Sequence, residues 1–97
     1  MQRTELIGNL VRDAVRVEGQ NGREPFMSFS VCCNERRGDE ETKTFWEVSA
    51  PLSGVLSFLT KGKGVFVAGF PSAKAFLTKE QEPAAQMRLS AHVIELL

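Results

Sequence analysis

The amino-acid sequence predicts an all-β domain: a five-stranded Greek-key barrel with one short helix between the third and fourth strands. Apolar and polar residues alternate with a period of two in several short segments, which turn residues separate. One stretch, 52–59, instead repeats its apolar residues at helical spacing. The 97 residues, 42% of them hydrophobic, suffice for one domain spanning 1–97 with a core of its own.

The first two predicted strands lie on either side of a turn. Residues 4–11 (TELIGNLV) form the first strand, and Gly8 inside it predicts a bend or the close approach of another backbone. After a kink near Asp13, residues up to about 17 are compatible with a continuation of that strand. Asn21-Gly22 then predicts a tight turn, and the alternating segment 26–33 is the second strand.

A strand, a short helix and a further strand form the middle of the chain. Residues 45–50 are rich in Phe, Trp and Val, which suit a pleated surface. The helix follows, with Pro51 where a first helical turn tolerates proline and Gly62 just beyond the expected end. A KGKG turn at 61–64 leads into the fourth strand, 63–70. The helical stripe consists of Leu52, Val55, Leu56 and Leu59.

Two polar segments flank this unit. Residues 34–43 are expected to form a long mobile hairpin loop, either simply solvated or closing over a ligand with Arg36 and Arg37 on its phosphates. The acidic run 39–41 weighs against the second alternative. Residues 71–83 are expected to form a second polar loop or a loose hairpin, and they carry Lys74, Phe76 and Lys79.

The last predicted strand, 86–96, changes its apolar face near the end. Met87, Leu89 and Ala91 share one face, but Ile94 and Leu96 belong to the other. Such a switch requires a β-bulge or a contact between subunits.

Composition and charge limit the possible partners. The 12 basic residues equal the 12 acidic ones, which argues against a uniformly basic protein but allows a local basic face. The sequence has no apolar run long enough to span a membrane and no signal peptide at its start, so we expect a cytoplasmic protein without membrane contact.

The adjacent cysteines, Cys32 and Cys33, would point to opposite faces of a strand. We expect both to be reduced thiols. A metal-binding pair is the alternative, but no second cluster of Cys or His accompanies them.

Catalysis finds no support in the sequence. The KGKG segment lacks the upstream glycine and the Ser or Thr of a phosphate-binding loop. HExxH, GxSxG and a cysteine–histidine pairing are likewise missing, so we expect neither an enzyme nor a cofactor.

Four segments in order resemble the bacterial single-stranded DNA-binding proteins: ELIGNLVRD, FSVCCNE, FWEV and LTKGKGVFVAGF. The resemblance covers nearly the whole chain. It implies an OB-fold, a homo-oligomer (a tetramer or a dimer), and sequence-tolerant binding of single-stranded DNA in replication, recombination or repair. A small Greek-key barrel of five strands with this helix position is the plan of the OB-fold.

The resemblance also implies a set of binding residues. Trp46 matches the family's stacking tryptophan and would point outward, whereas an ordinary core tryptophan is the alternative. Phe76 matches a second stacking aromatic, and Lys61 and Lys74 match basic positions. The basic residues expected along the nucleic-acid backbone are Arg36, Arg37, Lys61, Lys63, Lys74 and Lys79.

Two alternatives stay open at this point. The segments SAPLSG and HVIELL are somewhat similar to the primosomal replication protein, a short dimeric relative with the same fold. A barrel that binds only proteins is compatible with the net charge of zero. Because the sequence stops after its last strand, we expect no recruitment of proteins through an acidic C-terminal tail.

Overall fold

The computed structural model describes residues 2–81 and 83–97 and shows an all-β barrel, as predicted. A short sixth strand, β2, is added to the expected five, and among the described residues it pairs with β3 alone. The strands are β1 (Thr4–Leu10), β2 (Val15–Val17), β3 (Phe26–Arg37), β4 (Glu40–Pro51), β5 (Gly64–Leu77) and β6 (Pro83–Leu96).

The strands form one sheet in the order β1-β5-β6-β4-β3-β2, and pairing of β1 with β3 closes it into a barrel. All pairs are antiparallel except β4 with β6. Within the described ranges, no helix has the length and apolar content that a membrane span requires.

The core lies on the inner face of the sheet, because the five long strands β1, β3, β4, β5 and β6 contribute alternate apolar residues to it. Leu59, just after the helical segment, closes one end of the core. The fully buried side chains that fill the barrel include Met27, Phe29, Val31, Val48, Val65, Val67 and Leu89.

Two backbone predictions are confirmed. A Cβ on Gly8 would lie 2.4 Å from the carbonyl oxygen of Cys32, so β1 and β3 approach closely where the barrel closes. Asn21 and Gly22 both have positive φ, 58° and 80°, as a type I′ turn requires. The Arg23 N–H closes this turn on the Gln20 carbonyl at 3.2 Å.

The predicted short helix exists as one turn of 3-10 helix, Gly54–Phe58. Pro51 ends β4 rather than opening the helix, and the Ser53 hydroxyl caps it by accepting the Val55 N–H at 3.4 Å. The apolar stripe still packs on the core, but five residues suit the tight 3-10 geometry better than a longer α-helix.

The expectation of a long loop at 34–43 is wrong, whereas of the two alternatives for 71–83, a loop or a hairpin, the hairpin is confirmed. β3 and β4 stay paired out to Arg37 and Glu40, which leaves only Gly38-Asp39 as the turn. Gly38 has φ 60°, as the first central residue of a type II′ turn does. β5 and β6 likewise pair out to Leu77. Beyond the core neither face of a hairpin is buried, so the apolar alternation disappears while the backbone pairing continues.

The switch of apolar face in β6 comes from a β-bulge. Ala68 pairs with Val93 but Gly69 pairs with Ala91, which leaves His92 as the extra residue. The inserted residue reverses the alternation, so Ile94 lies opposite the buried Val67.

Candidate nucleic-acid interface

A cleft separates the β3–β4 hairpin from the β5–β6 hairpin. β4 and β6 are paired over only four residues, Trp46–Ser49 with Met87–Ser90, and above this seam the two hairpins diverge. The space between them, about 420 Å³, is the hairpin cleft. Its walls include Phe45, Trp46, Lys74, Phe76, Gln86 and Met87.

Two phenylalanines present their rings to this cleft. Phe45 is 59% exposed and Phe76 is 47% exposed, although both are large apolar side chains. An apolar ring left in water beside a cleft has no role in the barrel core. These two rings are therefore the available flat surfaces for a base to stack on.

Trp46 differs from the expectation that it points outward. It pairs with Val31 and precedes the buried Val48 by two residues, so it lies on the inner face and packs, half-buried, against the core. Its exposed part lines the hairpin cleft. Because successive side chains of a strand point to opposite faces, the sequence shows that one of Phe45 and Trp46 points outward, but it does not show which one.

Lys74 lies beside the exposed rings. It precedes Phe76 by two residues on β5, so both side chains lie on the same face of the strand, and it lines the hairpin cleft together with Phe45. The outer face thus brings one cation and two aromatic rings to the same cleft, a combination that suits binding of bases and their phosphate backbone.

Glu47 is the acidic residue on the wall of the cleft, and its charge is partly balanced. Its carboxylate accepts a hydrogen bond from the Ser30 hydroxyl. The Arg12 guanidinium lies 3.5 Å from the same carboxylate. Arg12 thus borders the outer face as well, a position that sequence patterns did not single out.

The predicted arginines of the first hairpin lie outside the cleft. In the strand register Arg36 is opposite Glu41 and Arg37 is opposite Glu40, and all four are exposed. Cross-strand carboxylates lower the positive potential that these arginines offer to a phosphate. Lys79 is exposed at the end of the second hairpin.

The remaining two predicted cations are remote from the hairpins. The Lys61 N–H donates to the Asp13 carboxylate at 2.8 Å, and the Lys63 carbonyl accepts the Leu10 N–H at 3.0 Å. Both lysines are therefore held at the other end of the barrel. Along the extended strand, Lys63 and Lys74 are roughly 36 Å apart.

The cysteines are free and half-buried, and they line different faces of β3. Burial, and then the neighbouring Cys32 and Glu35, raise the pKa of the Cys33 thiol, so Cys33 is a neutral thiol at neutral pH. Across residues 2–81 and 83–97, no three His, Cys, Asp or Glu side chains cluster in a way that could hold a metal ion.

Comparisons at the level of sequence identify no family model and no curated protein that matches this chain. Comparison of structures gives clear matches. The small single-stranded DNA-binding protein from Streptomyces coelicolor is similar with a TM-score of 0.81 and 18% identity, covering 99% of this chain and 94% of that protein.

The single-stranded DNA-binding protein of Plasmodium falciparum, in complex with single-stranded DNA, is similar with a TM-score of 0.68 and 19% identity. That match covers 100% of this chain and 93% of the other. The chain therefore has the OB-fold barrel in the form that these single-stranded DNA-binding proteins share.

Proposed function

We propose that this protein binds single-stranded DNA without strong sequence preference. The observation that carries the proposal is the hairpin cleft, where Phe45 and Phe76 expose their rings and Lys74 lines the same walls. Every base has a π-face, so exposed rings bind single strands of any sequence, and a cation neutralises the backbone between them. The similarity to two single-stranded DNA-binding proteins supports the same activity here.

A binding role, rather than catalysis, is the function we infer for the cleft. Its walls combine rings, aliphatic groups, an amide and one lysine, and its single carboxylate is engaged by Ser30 and Arg12. Coating of exposed single strands in replication, recombination or repair is the corresponding cellular role. The two unpaired thiols support the proposal of a reducing, cytoplasmic location.

The experiment is a fluorescence titration with oligo(dT), using Trp46 as the reporter at the cleft. We expect quenching on binding and an affinity that falls with salt by roughly 0.7 log units per log unit of salt for each phosphate neutralised. Duplex DNA of the same length is the control, and it should bind much more weakly because its bases are already stacked. Absence of binding, or an affinity that salt does not change, would contradict the proposal.

We also propose that the protein is a homo-oligomer, a dimer or a tetramer. Ile7 is 66% exposed on the outer face of β1, directly across from Phe66 of β5. Ile7 is thus an exposed apolar residue beside the half-buried Phe66, and such an apolar patch on a regular strand is typical of a surface that a second copy covers. Sedimentation should give a multiple of the 10.7 kDa chain mass.

Ile7→Glu should shift the measured mass toward the monomer, because it places a charge in the proposed contact. Val15→Glu is the matched control, since Val15 is also an exposed apolar residue but lies on the short strand β2. A wild-type monomer at tens of micromolar would contradict the oligomer.

A further inference from the structure

The outer face of the sheet continues the hairpin cleft into a longer trough. Glu47 and Gln86 line both the hairpin cleft and a middle groove that runs along the β4–β6 seam. Phe26 and Ser49 in turn line both the middle groove and a lower groove at the opposite end of the seam. The three spaces are thus contiguous, and we call them together the trough.

The short pairing of β4 with β6 explains why the trough has this shape. The two strands are in register only from Trp46 to Ser49, so they part below the seam as well as above it. The lower groove occupies this second opening, with a volume of about 600 Å³. Its walls are mostly apolar and include Pro25, Phe26, Pro51 and Leu52.

Phe26 is the aromatic residue of the lower groove. It pairs with Pro51 at the end of β4 and alternates with the buried Met27, so its ring lies on the outer face and is 36% exposed. The trough therefore has exposed aromatic rings at both ends, Phe45 and Phe76 at the top and Phe26 at the bottom.

Two guanidinium groups border the trough between these ends. Arg88 pairs with Glu47 across the seam and is exposed, with its Nε donating to the Gln86 side-chain oxygen at 3.2 Å. Arg12 reaches Glu47 from the other side at 3.5 Å. Two guanidinium groups against the single carboxylate of Glu47 leave a net positive charge here, so the middle of the trough suits a phosphate backbone.

The lower groove ends at a carboxylate, that of Glu24. A phosphate beside it would be repelled, whereas an uncharged base is not. The strand of nucleic acid should therefore place its backbone near Arg88 and a base, rather than a phosphate, at Phe26.

We propose that Phe26 is a second stacking platform for the same DNA strand that occupies the hairpin cleft; this inference rests on the proposed function. From Phe45 to Pro51 the strand rises about 20 Å. At the roughly 3.4 Å spacing of stacked nucleotides this length holds about six of them. A barrel with this trough binds a strand within the range of about 4–16 nucleotides that OB-folds cover.

The test compares a short and a long oligo(dT), about four and about twelve nucleotides. A short strand is held by the hairpin cleft alone, whereas a long one also reaches Phe26. Phe26→Ala should weaken binding of the long strand roughly tenfold and leave the short strand within about twofold. Phe45→Ala and Phe76→Ala should weaken both.

Two further variants separate stacking by the Phe26 ring from a general loss of apolar surface. Phe26→Leu keeps apolar bulk in the lower groove but removes the flat ring, so it should show the same length-selective loss. Phe58→Ala is the matched control, because Phe58 is an exposed phenylalanine that lines none of the three grooves. It should bind both lengths as the wild type does. Thermal melts establish that each variant is folded.

The proposal is overturned if Phe26→Ala leaves the long strand unaffected, or weakens both lengths equally. The first result would leave the lower groove to some other ligand, such as an apolar peptide, while the hairpin cleft still binds DNA. If the wild type binds neither length, the proposed function fails together with this inference.

Discussion

The two hairpins are built alike but differ in what they offer to a ligand. In the β3–β4 hairpin the two arginines near the turn lie across from Glu41 and Glu40. In the β5–β6 hairpin Lys74 lies across from Gln86, and Phe76 from Ala84. The first hairpin therefore places a carboxylate across from each arginine near its turn, whereas Lys74 of the second lies across from a neutral amide. A count of basic residues does not reveal this difference, because the cross-strand partner decides it.

The largest expected effect is a loss of folding stability on mutation of Trp46, which lies where the two hairpins diverge. Trp46→Ala should lower the free energy of unfolding by about 2–3 kcal/mol, since Trp46 packs half-buried on the core and a fully buried aromatic residue is worth about 3–5 kcal/mol. Urea unfolding measures it, with Phe45→Ala as the control that stays near wild-type stability. A Trp46→Ala protein that is fully stable but unable to bind DNA would restore the outward orientation implied by the family resemblance.

On the second hairpin, Phe76 is one of the two rings that we propose to stack on bases. Phe76→Ala is expected to cost roughly 1–3 kcal/mol of affinity for oligo(dT), because the ring offers a base its flat face. Leu77→Ala is a close control: Leu77 is also exposed and adjacent, but it points to the other side of the strand. Equal losses in the two variants would indicate a general disturbance of the hairpin instead of stacking.

Salt dependence distinguishes the cations of the two hairpins. Lys74→Gln should reduce the slope of log affinity against log salt by roughly 0.7, the value for one phosphate contact on a single strand. Arg37→Gln should change the slope less, since Arg37 lies opposite Glu40. If Arg37→Gln has the larger effect, the first hairpin is the principal backbone contact and the comparison is reversed.

The smallest expected effect is an increase in the affinity for single-stranded DNA. The double variant Glu40→Gln, Glu41→Gln removes the carboxylates opposite both arginines, so affinity should rise by a few tenths of a kcal/mol and become more sensitive to salt. Measurement at low ionic strength gives the largest signal. An unchanged affinity would mean that this hairpin does not approach the DNA.

Much of the barrel could be predicted because its signals are local. A few neighbouring residues were enough to predict three backbone features. These are the close approach at Gly8, the turn at Asn21-Gly22 and the bulge before Ile94. The extent of the hairpins could not be predicted, because paired strands without a buried face have no apolar period. Their polar composition is the same as that of a loop.

The site was less predictable than the fold. Lys74 and Phe76 were predicted from the family resemblance, and both line the hairpin cleft. Lys61 and Lys63 were grouped with them by residue type, although the barrel separates them. Phe26 was predicted only as the start of a strand, and its connection to the cleft depends on the β4–β6 seam, which joins residues 41 positions apart along the chain, Trp46 with Met87.

The closure of the barrel at Gly8 also bears on its motions. β1 and β3 share only two register pairs, Asn9 with Cys32 and Leu10 with Val31, whereas β1 and β5 share six. Amide protons at this junction should therefore exchange with solvent sooner than those between β1 and β5, since fewer bonds must break to free them. The trough is lined mainly by β4, β5 and β6, and by Phe26 and Ser28 at the start of β3, away from this junction, so we expect local opening there to leave it undisturbed. A barrel with this arrangement can open locally on one side without disturbing the proposed binding surface on the other.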